Sequence, residues 1–253
     1  MNTVLELGPQ LLLFLLLVAV LAGCLDTLAG GGGLLVLPAL LLAGIPPLEA
    51  LGTNKMQGTM GTLTATLMML RHKRVKWQDA KLLMLSAFVG SGFASIVVQF
   101  VDTGFLQVLI PFVLLGIAVY FLFSGKILDK VHPVKLDTSR FRNLVVPAIG
   151  AYDGMIGPGT GSFFAMAGMA LQGKTLLQAT AMAKCLNFST NIASLLVFAF
   201  AGKLVWQIGL VMMFGQAAGA WLGSHILFRI NPFWLRMLVV VMCMAMLGRY
   251  IHG

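Results

Sequence analysis

Four ionisable side chains stand inside apolar sequence: Asp26 in GCLDTLAGGGG, Lys55 in GTNKMQGT, Asp153 in YDGMIGPGTG and Lys184 in ATAMAKCLNFST. The lysines offer charge to an anion, and the aspartates offer a place for a proton or a counter-charge. From Lys55, helical steps reach Thr59, Thr62 and Thr66; from Lys184 they reach Asn187, Asn191 and Ser194. Each set falls on one face of a helix, so each lysine heads a neutral, hydrogen-bonding stripe, with Asn54 beside the first. Snorkelling to the interface, or an ion pair with Asp26 or Asp153, is the alternative use of each lysine. No Ser-His-Asp spacing, HExxH or Walker motif appears, so the expectation is a chain that is not an enzyme and carries no cofactor and no metal. Cys24, Cys185 and Cys243 lack CxxC spacing and read as small core residues. His225 reads as a packing or interfacial side chain, and Trp77 and Trp206, each following a short polar loop, read as interfacial anchors.

Both aspartates precede glycine-rich breaks, GGGG at 30–33 and GPGTG at 157–161. Glycine costs about 1 kcal/mol against alanine inside a helix and Pro158 cannot donate a helical hydrogen bond, so the helix should unwind at both places. The segments beyond, residues 34–44 and 161–173, are too short to cross a bilayer and read as half-helices or return arms. Helix N-termini at Gly31, Gly32, Gly33 and at Gly159, Thr160, Gly161 would aim backbone N–H groups at an anion. Close helix packing through small residues is the competing use of these glycines.

The elements that must position these groups are membrane helices. Of the 253 residues, 59% are hydrophobic and 10% charged, and mean hydropathy is +0.95. Apolar runs at 49–70, 80–101, 104–124, 177–202, 207–228 and 233–250 each reach the length of a span, and the run at 11–23 reads as a retained segment rather than a cleaved signal. The net charge of +9 is topology and not a nucleic-acid footprint, because ten of the seventeen Lys and Arg fall in two connections. The loops 71–81 and 126–142 are therefore expected to be cytoplasmic and to meet lipid head groups.

The chain also repeats itself. An offset of 129 places Lys55 on Lys184, Gly90 on Gly219, Ser95 on Ser224 and the Trp-Gln pair at 77–78 on that at 206–207, and an offset of 127 places Asp26 on Asp153. The expected fold is an all-α polytopic membrane protein of two homologous, inverted repeats. Each has a glycine-broken segment, re-entrant or half-helical, plus three spanning helices. The boundaries are 1–124 for the first repeat, 125–142 for the basic connection and 143–253 for the second.

The segments DTLAGGGGLLVLPALLLAGIPPLEALGTNKMQ and YDGMIGPGTGSFF, the latter followed by ATAMAKCLNFSTN, resemble the TauE/SafE family of bacterial inner-membrane permeases for sulfite, sulfonates and related organosulfur anions. The resemblance covers nearly the whole chain. It implies export of a small anion across the inner membrane, with the two signature segments lining the path; it does not name the substrate. A site between the breaks would use Gly31 to Gly33, Gly159 to Gly161, Asn54, Lys55, Thr59, Lys184, Asn187 and Asn191. Asp26 and Asp153 would serve proton or sodium coupling, or hold the lysines in place. An anion channel and a membrane scaffold without transport stay open as alternatives, and so does the oligomeric state, a homodimer included.

Overall fold

The structure, a computed structural model, describes residues 8–29, 32–123 and 133–226 of the chain. Among these residues every regular element is helical. Helix α1 (Pro9–Ala29) is about 31 Å long by its residue count, whereas α2 (Gly33–Leu42) reaches only about 15 Å. Proline at the first helical position starts α3 (Pro47–Arg71), whose Glu49 and Arg71 complement the dipole at its two ends. Next come α4 (Trp77–Val98) and α5 (Thr103–Phe123), the latter opened by Asp102, whose Oδ1 accepts from Phe105 N at 2.9 Å.

After the basic connection, Asp137 caps the short α6 (Thr138–Arg140). That helix runs through a π-helical turn (Phe141–Val145) into α7 (Val146–Met155). The short α8 (Thr160–Gln172) follows, then α9 (Leu176–Phe200) with a Thr175/Gln178 capping box, and α10 (Trp206–Ile226). Residues 9–27 of α1, α4 and α9 are long and apolar enough to cross a membrane. Helix α3 matches α9 in length, but its lysine, threonines and glycines dilute its hydropathy. The expected span at 233–250, Cys243 and the basic residues Lys126, Lys130, Arg229, Arg236 and Arg249 lie outside the described residues.

At the centre α3 packs against α9, and the two run antiparallel. The end of α3 and the start of α9 meet at one face, where Arg74 and Lys174 line a common cavity. At the other face Lys203, beyond α9, pairs with Glu49 of α3 at 3.1 Å. Around this pair, α1 packs on α10 and α4 on α7, with α10 also against α3 and α4 also against α9. Glycines set these distances. A Cβ at Gly90, Gly150 or Gly154 would overlap the backbone of Pro147, Ala87 or Ser91, and one at Gly219 or Gly23 would overlap that of Val20 or Gln216. Close approach of backbones is how membrane helices associate where lipid removes the hydrophobic drive. Trp77 and Trp206 begin α4 and α10, each 57% exposed, at the ends where interfacial anchors belong. Two apolar clusters fill the interior. The larger joins α1, α2, α3 and α5 to the ends of α9 and α10, and the smaller lies beneath the α3–α4 loop.

Candidate functional site

Helix α7 ends at Met155 and α8 begins at Thr160, while α1 ends at Ala29 and α2 begins at Gly33. Between α7 and α8, Gly157 and Gly159 adopt φ of 98° and 83°, values that an L side chain rarely takes. Tyr152 fixes this turn: its hydroxyl donates to the Pro158 carbonyl at 2.6 Å, and its ring stands edge-on to Phe163 at 5.2 Å. Between α1 and α2 the described side is Gly32 and Gly33, with Gly32 in right-handed helical geometry; Gly31 lies outside the described residues. The two breaks touch. A Cβ at Gly33 would stand 3.3 Å from Pro158 Cα and 3.4 Å from Asn54 Nδ2.

The lysines cross to the opposite breaks. Lys55 on α3 pairs with Asp153 on α7, Nζ to Oδ1 2.9 Å, and Nζ also donates to the Asp153 carbonyl. Lys184 on α9 pairs with Asp26 on α1, Nζ to Oδ2 3.1 Å, and likewise donates to the Asp26 carbonyl. The same double contact thus occurs twice, each time between a long helix and the last turn of a helix that ends at a break. Lys55 is 1% and Lys184 3% exposed, so neither ammonium snorkels. Gly157 leaves room for one of them, since a Cβ there would come within 2.7 Å of Lys55 Nζ. The Thr160 hydroxyl lies 2.7 Å from Asp153 Oδ1 and 2.6 Å from the Gly157 carbonyl, tying the start of α8 back to the end of α7.

A cavity of about 30 Å³, space for water or a compact ion, lies between the breaks. Of the expected residues, Asp26, Gly32, Gly33, Asn54, Lys55, Asp153, Gly159, Asn187 and Asn191 line it, and Gln57, Gly58, Thr62, Gly157 and Gln216 join them. Lys184, Thr59, Thr160 and Gly161 are not among its lining residues. The hydroxyls of the α3 threonine stripe bond to backbone carbonyls, Thr62 doing so while it lines the cavity. Thr59 donates to the Lys55 carbonyl at 2.7 Å, Thr62 to that of Gly58 at 2.8 Å, and Thr66 crosses to the Lys184 carbonyl at 3.1 Å. A threonine hydroxyl in a helix competes for the carbonyl one turn back, which holds it to its own helix. Ser194 also serves packing, meeting Ser91 at 2.7 Å and Ser95 at 2.8 Å. The N–H of Thr160 is engaged by the Gly157 carbonyl at 3.2 Å and does not face the cavity as a donor.

The sequence reading missed Gln57 and Gln216. Gln57 stood within the NKMQ stretch, and its amide nitrogen now donates to Asn54 Oδ1 at 3.0 Å. Gln216 is 2% exposed in α10, and a glutamine between the apolar stretches LVMMFG and AAGAWLG was the signal available. Gln57 Oε1, Gln216 Oε1 and Asp153 Oδ2 are buried with no hydrogen-bond partner among the described residues. A cavity lined by such acceptors suits a ligand or proton that can donate to them. The side chain of His225 lies outside the described residues. Among those described, no three His, Cys, Asp or Glu stand together as a metal site.

Residues 15–250 match the family model described as sulfite exporter TauE/SafE. The chain belongs to the TauE/SafE family. A probable membrane transporter protein of Haemophilus influenzae is 38% identical over 98% of this chain and 97% of its own length. The probable membrane transporter protein YfcA of Escherichia coli K12 is 38% identical over 99% of this chain and 93% of its own length. A third relative, from Sinorhizobium, is 39% identical over 87% and 84%. No solved structure matches. As a TauE/SafE member with these helices, the chain is a membrane transporter.

Proposed function

We propose that this transporter carries a small oxyanion of the sulfite or sulfonate class outward across the bacterial inner membrane, by alternating access of two inverted repeats. The observation that carries the reading is the crossed pair of buried ion pairs, Lys55 with Asp153 and Lys184 with Asp26, placed where the helix breaks meet. The antiparallel run of α3 and α9, and the recurrence of one lysine–aspartate–carbonyl contact on each, support repeats with boundaries at 1–124 and 143–253 and a cytoplasmic basic connection between them.

The four charges cancel as they stand, so an anion must compete with a carboxylate for each lysine. Protonating Asp153 at Oδ2, the oxygen without a partner, removes that competitor and leaves Lys55 for the anion. Proton and anion then move together. Amide groups of Asn54, Gln57, Asn187, Asn191 and Gln216 supply the neutral contacts. The cavity holds only about 30 Å³, so a larger anion needs it to widen. A compact oxyanion needs less opening than a long sulfonate, and the organosulfur class itself rests on the family description.

Purified protein in liposomes loaded with sulfite tests this reading. Wild type is expected to give a saturable efflux with counterflow that varies with pH, and Lys55→Met or Lys184→Met to lower it at least about tenfold. Asp153→Asn should flatten the pH dependence. Folded lysine variants that transport at the wild-type rate would overturn the site, and flux without saturation or counterflow would make the protein a channel.

A further inference from the structure

A second concavity, of about 430 Å³, opens at the face where α3 ends and α9 begins, and it shares no lining residue with the central cavity. Its volume falls in the range of small-molecule sites. Of the described residues lining it, Lys73, Arg74, Lys76 and Lys174 are basic and Asp79 alone is acidic. Burial lowers the pKa of Lys174, with the Asp79 carboxylate opposing that shift, so an added anion would strengthen the ammonium form. The floor is Leu83, Phe141 and Met182, all members of the buried apolar cluster, and an ionic ligand would stop there. One wall is fixed in advance: Lys135 N and Leu136 N donate to the Leu171 carbonyl at 2.9 and 3.1 Å, and Gln172 Nε2 donates to the Leu136 carbonyl at 2.6 Å.

Among the described residues, the counterparts of this lining at the opposite face carry less charge, with Lys203 alone, opposite Arg74, keeping a basic side chain. At positions 129 residues away, Ile45, Val205 and Ile208 stand where the cavity has Lys174, Lys76 and Asp79, and Ile45 and Ile208 are buried in the larger apolar cluster. The backbone tells the same story. Gly202, 129 residues after Lys73, has φ of 67°, as a helix C-terminus favours, whereas Lys73 holds φ of 53° as a lysine. Placing a lysine where glycine is cheapest gives up stability, and the charge it adds falls on the cavity.

We propose that this cavity binds a phosphate group, carried by an anionic lipid or by free inorganic phosphate. Four basic side chains around one cavity can meet several oxygens of a single anion at once, which a phosphate group offers. The exposed Trp77, following Lys76, sets the site at the membrane interface, where phosphodiester head groups stand.

Full-length protein in phosphatidylcholine nanodiscs, with and without phosphatidylglycerol, tests this, with inorganic phosphate titrated into the phosphatidylcholine discs at constant ionic strength. One of the two additions is expected to raise the thermal midpoint of wild type. A rise with phosphatidylglycerol identifies the lipid as source, and one with inorganic phosphate the free ion. Lys76→Gln/Lys174→Gln should weaken the response about thirtyfold in concentration, while Lys203→Gln, at the opposite face, should respond as wild type does. Lys73→Gly gives the turn its preferred residue, so it folds while losing one charge, and native mass spectrometry should show it retaining less of the phosphate-bearing adduct than wild type. No rise in wild type, or equal response and adduct in wild type and the double variant, overturns the proposal. Neither result bears on sulfite efflux.

Discussion

Lys55 and Asp153, each 1% exposed, stabilise one another only as a pair. Removing one partner strands the other, and in buried pairs that costs about 3–5 kcal/mol, whereas replacing both by apolar side chains is often neutral or better. Asp153→Asn should therefore lower stability by about 3 kcal/mol or more, and Lys55→Met/Asp153→Leu should regain most of it. Unfolding of the purified variants in mild detergent measures both. A double variant as unstable as the single one would mean that the Asp153 carboxylate acts through Thr160 and the turn at Gly157, and not through Lys55. The four charged residues were legible in the sequence because ionisable groups stand out in apolar runs. Which lysine meets which aspartate was not, since that depends on how α3 and α9 cross. Local hydrogen bonding also hid the outcome for Thr59 and Thr62, whose helical spacing says nothing of the carbonyls they bond.

Between elements, the close approaches depend on particular glycines. Gly90 of α4 meets the backbone of Pro147, so a methyl group there must push α7 away and lengthen the Ser95–Gly154 contact of 3.1 Å beyond it. Gly92, two residues on, faces only Ala193 Cβ at 3.9 Å, so its methyl group fits. Gly90→Ala is expected to destabilise by about 1–3 kcal/mol, as overpacking does, while Gly92→Ala should be neutral or gain up to about 1 kcal/mol from helix propensity. Thermal unfolding of the two variants side by side checks this, and equal losses would show that α4 and α7 are not closely packed. The sequence placed α3, α4, α5, α9 and α10 to within a few residues, because twenty-residue apolar runs are a strong signal. It could not separate the glycines that pack from those that break a helix. GGGG at 30–33 includes Gly33 against Pro158, while Gly90 and Gly219 meet the backbones of neighbouring helices.

For the whole molecule, the decisive relation is that α3 and α9 lie antiparallel with their lysines reaching opposite breaks. Parallel repeats would put residues 73 and 202 on the same side of the membrane, because they share an offset of 129. The observed packing instead brings 73 and 174 to one cavity and sets 203 beside Glu49 at the other face. Single cysteines at 73, 174 and 203, in a background with Cys24, Cys185 and Cys243 replaced by alanine, turn this into a measurement with an impermeant maleimide on whole cells and inverted vesicles. Positions 73 and 174 should label together from the cytoplasmic side, as a surplus of lysine and arginine dictates, and 203 only from the other. Alternating access by rocking one half against the other requires this arrangement, since two oppositely oriented copies of one hairpin can exchange inward- and outward-facing roles around a fixed pair of lysines. Labelling of 73 and 203 from one side would remove the symmetry on which that exchange depends, and the crossed ion pairs would then be packing devices without a transport cycle to serve.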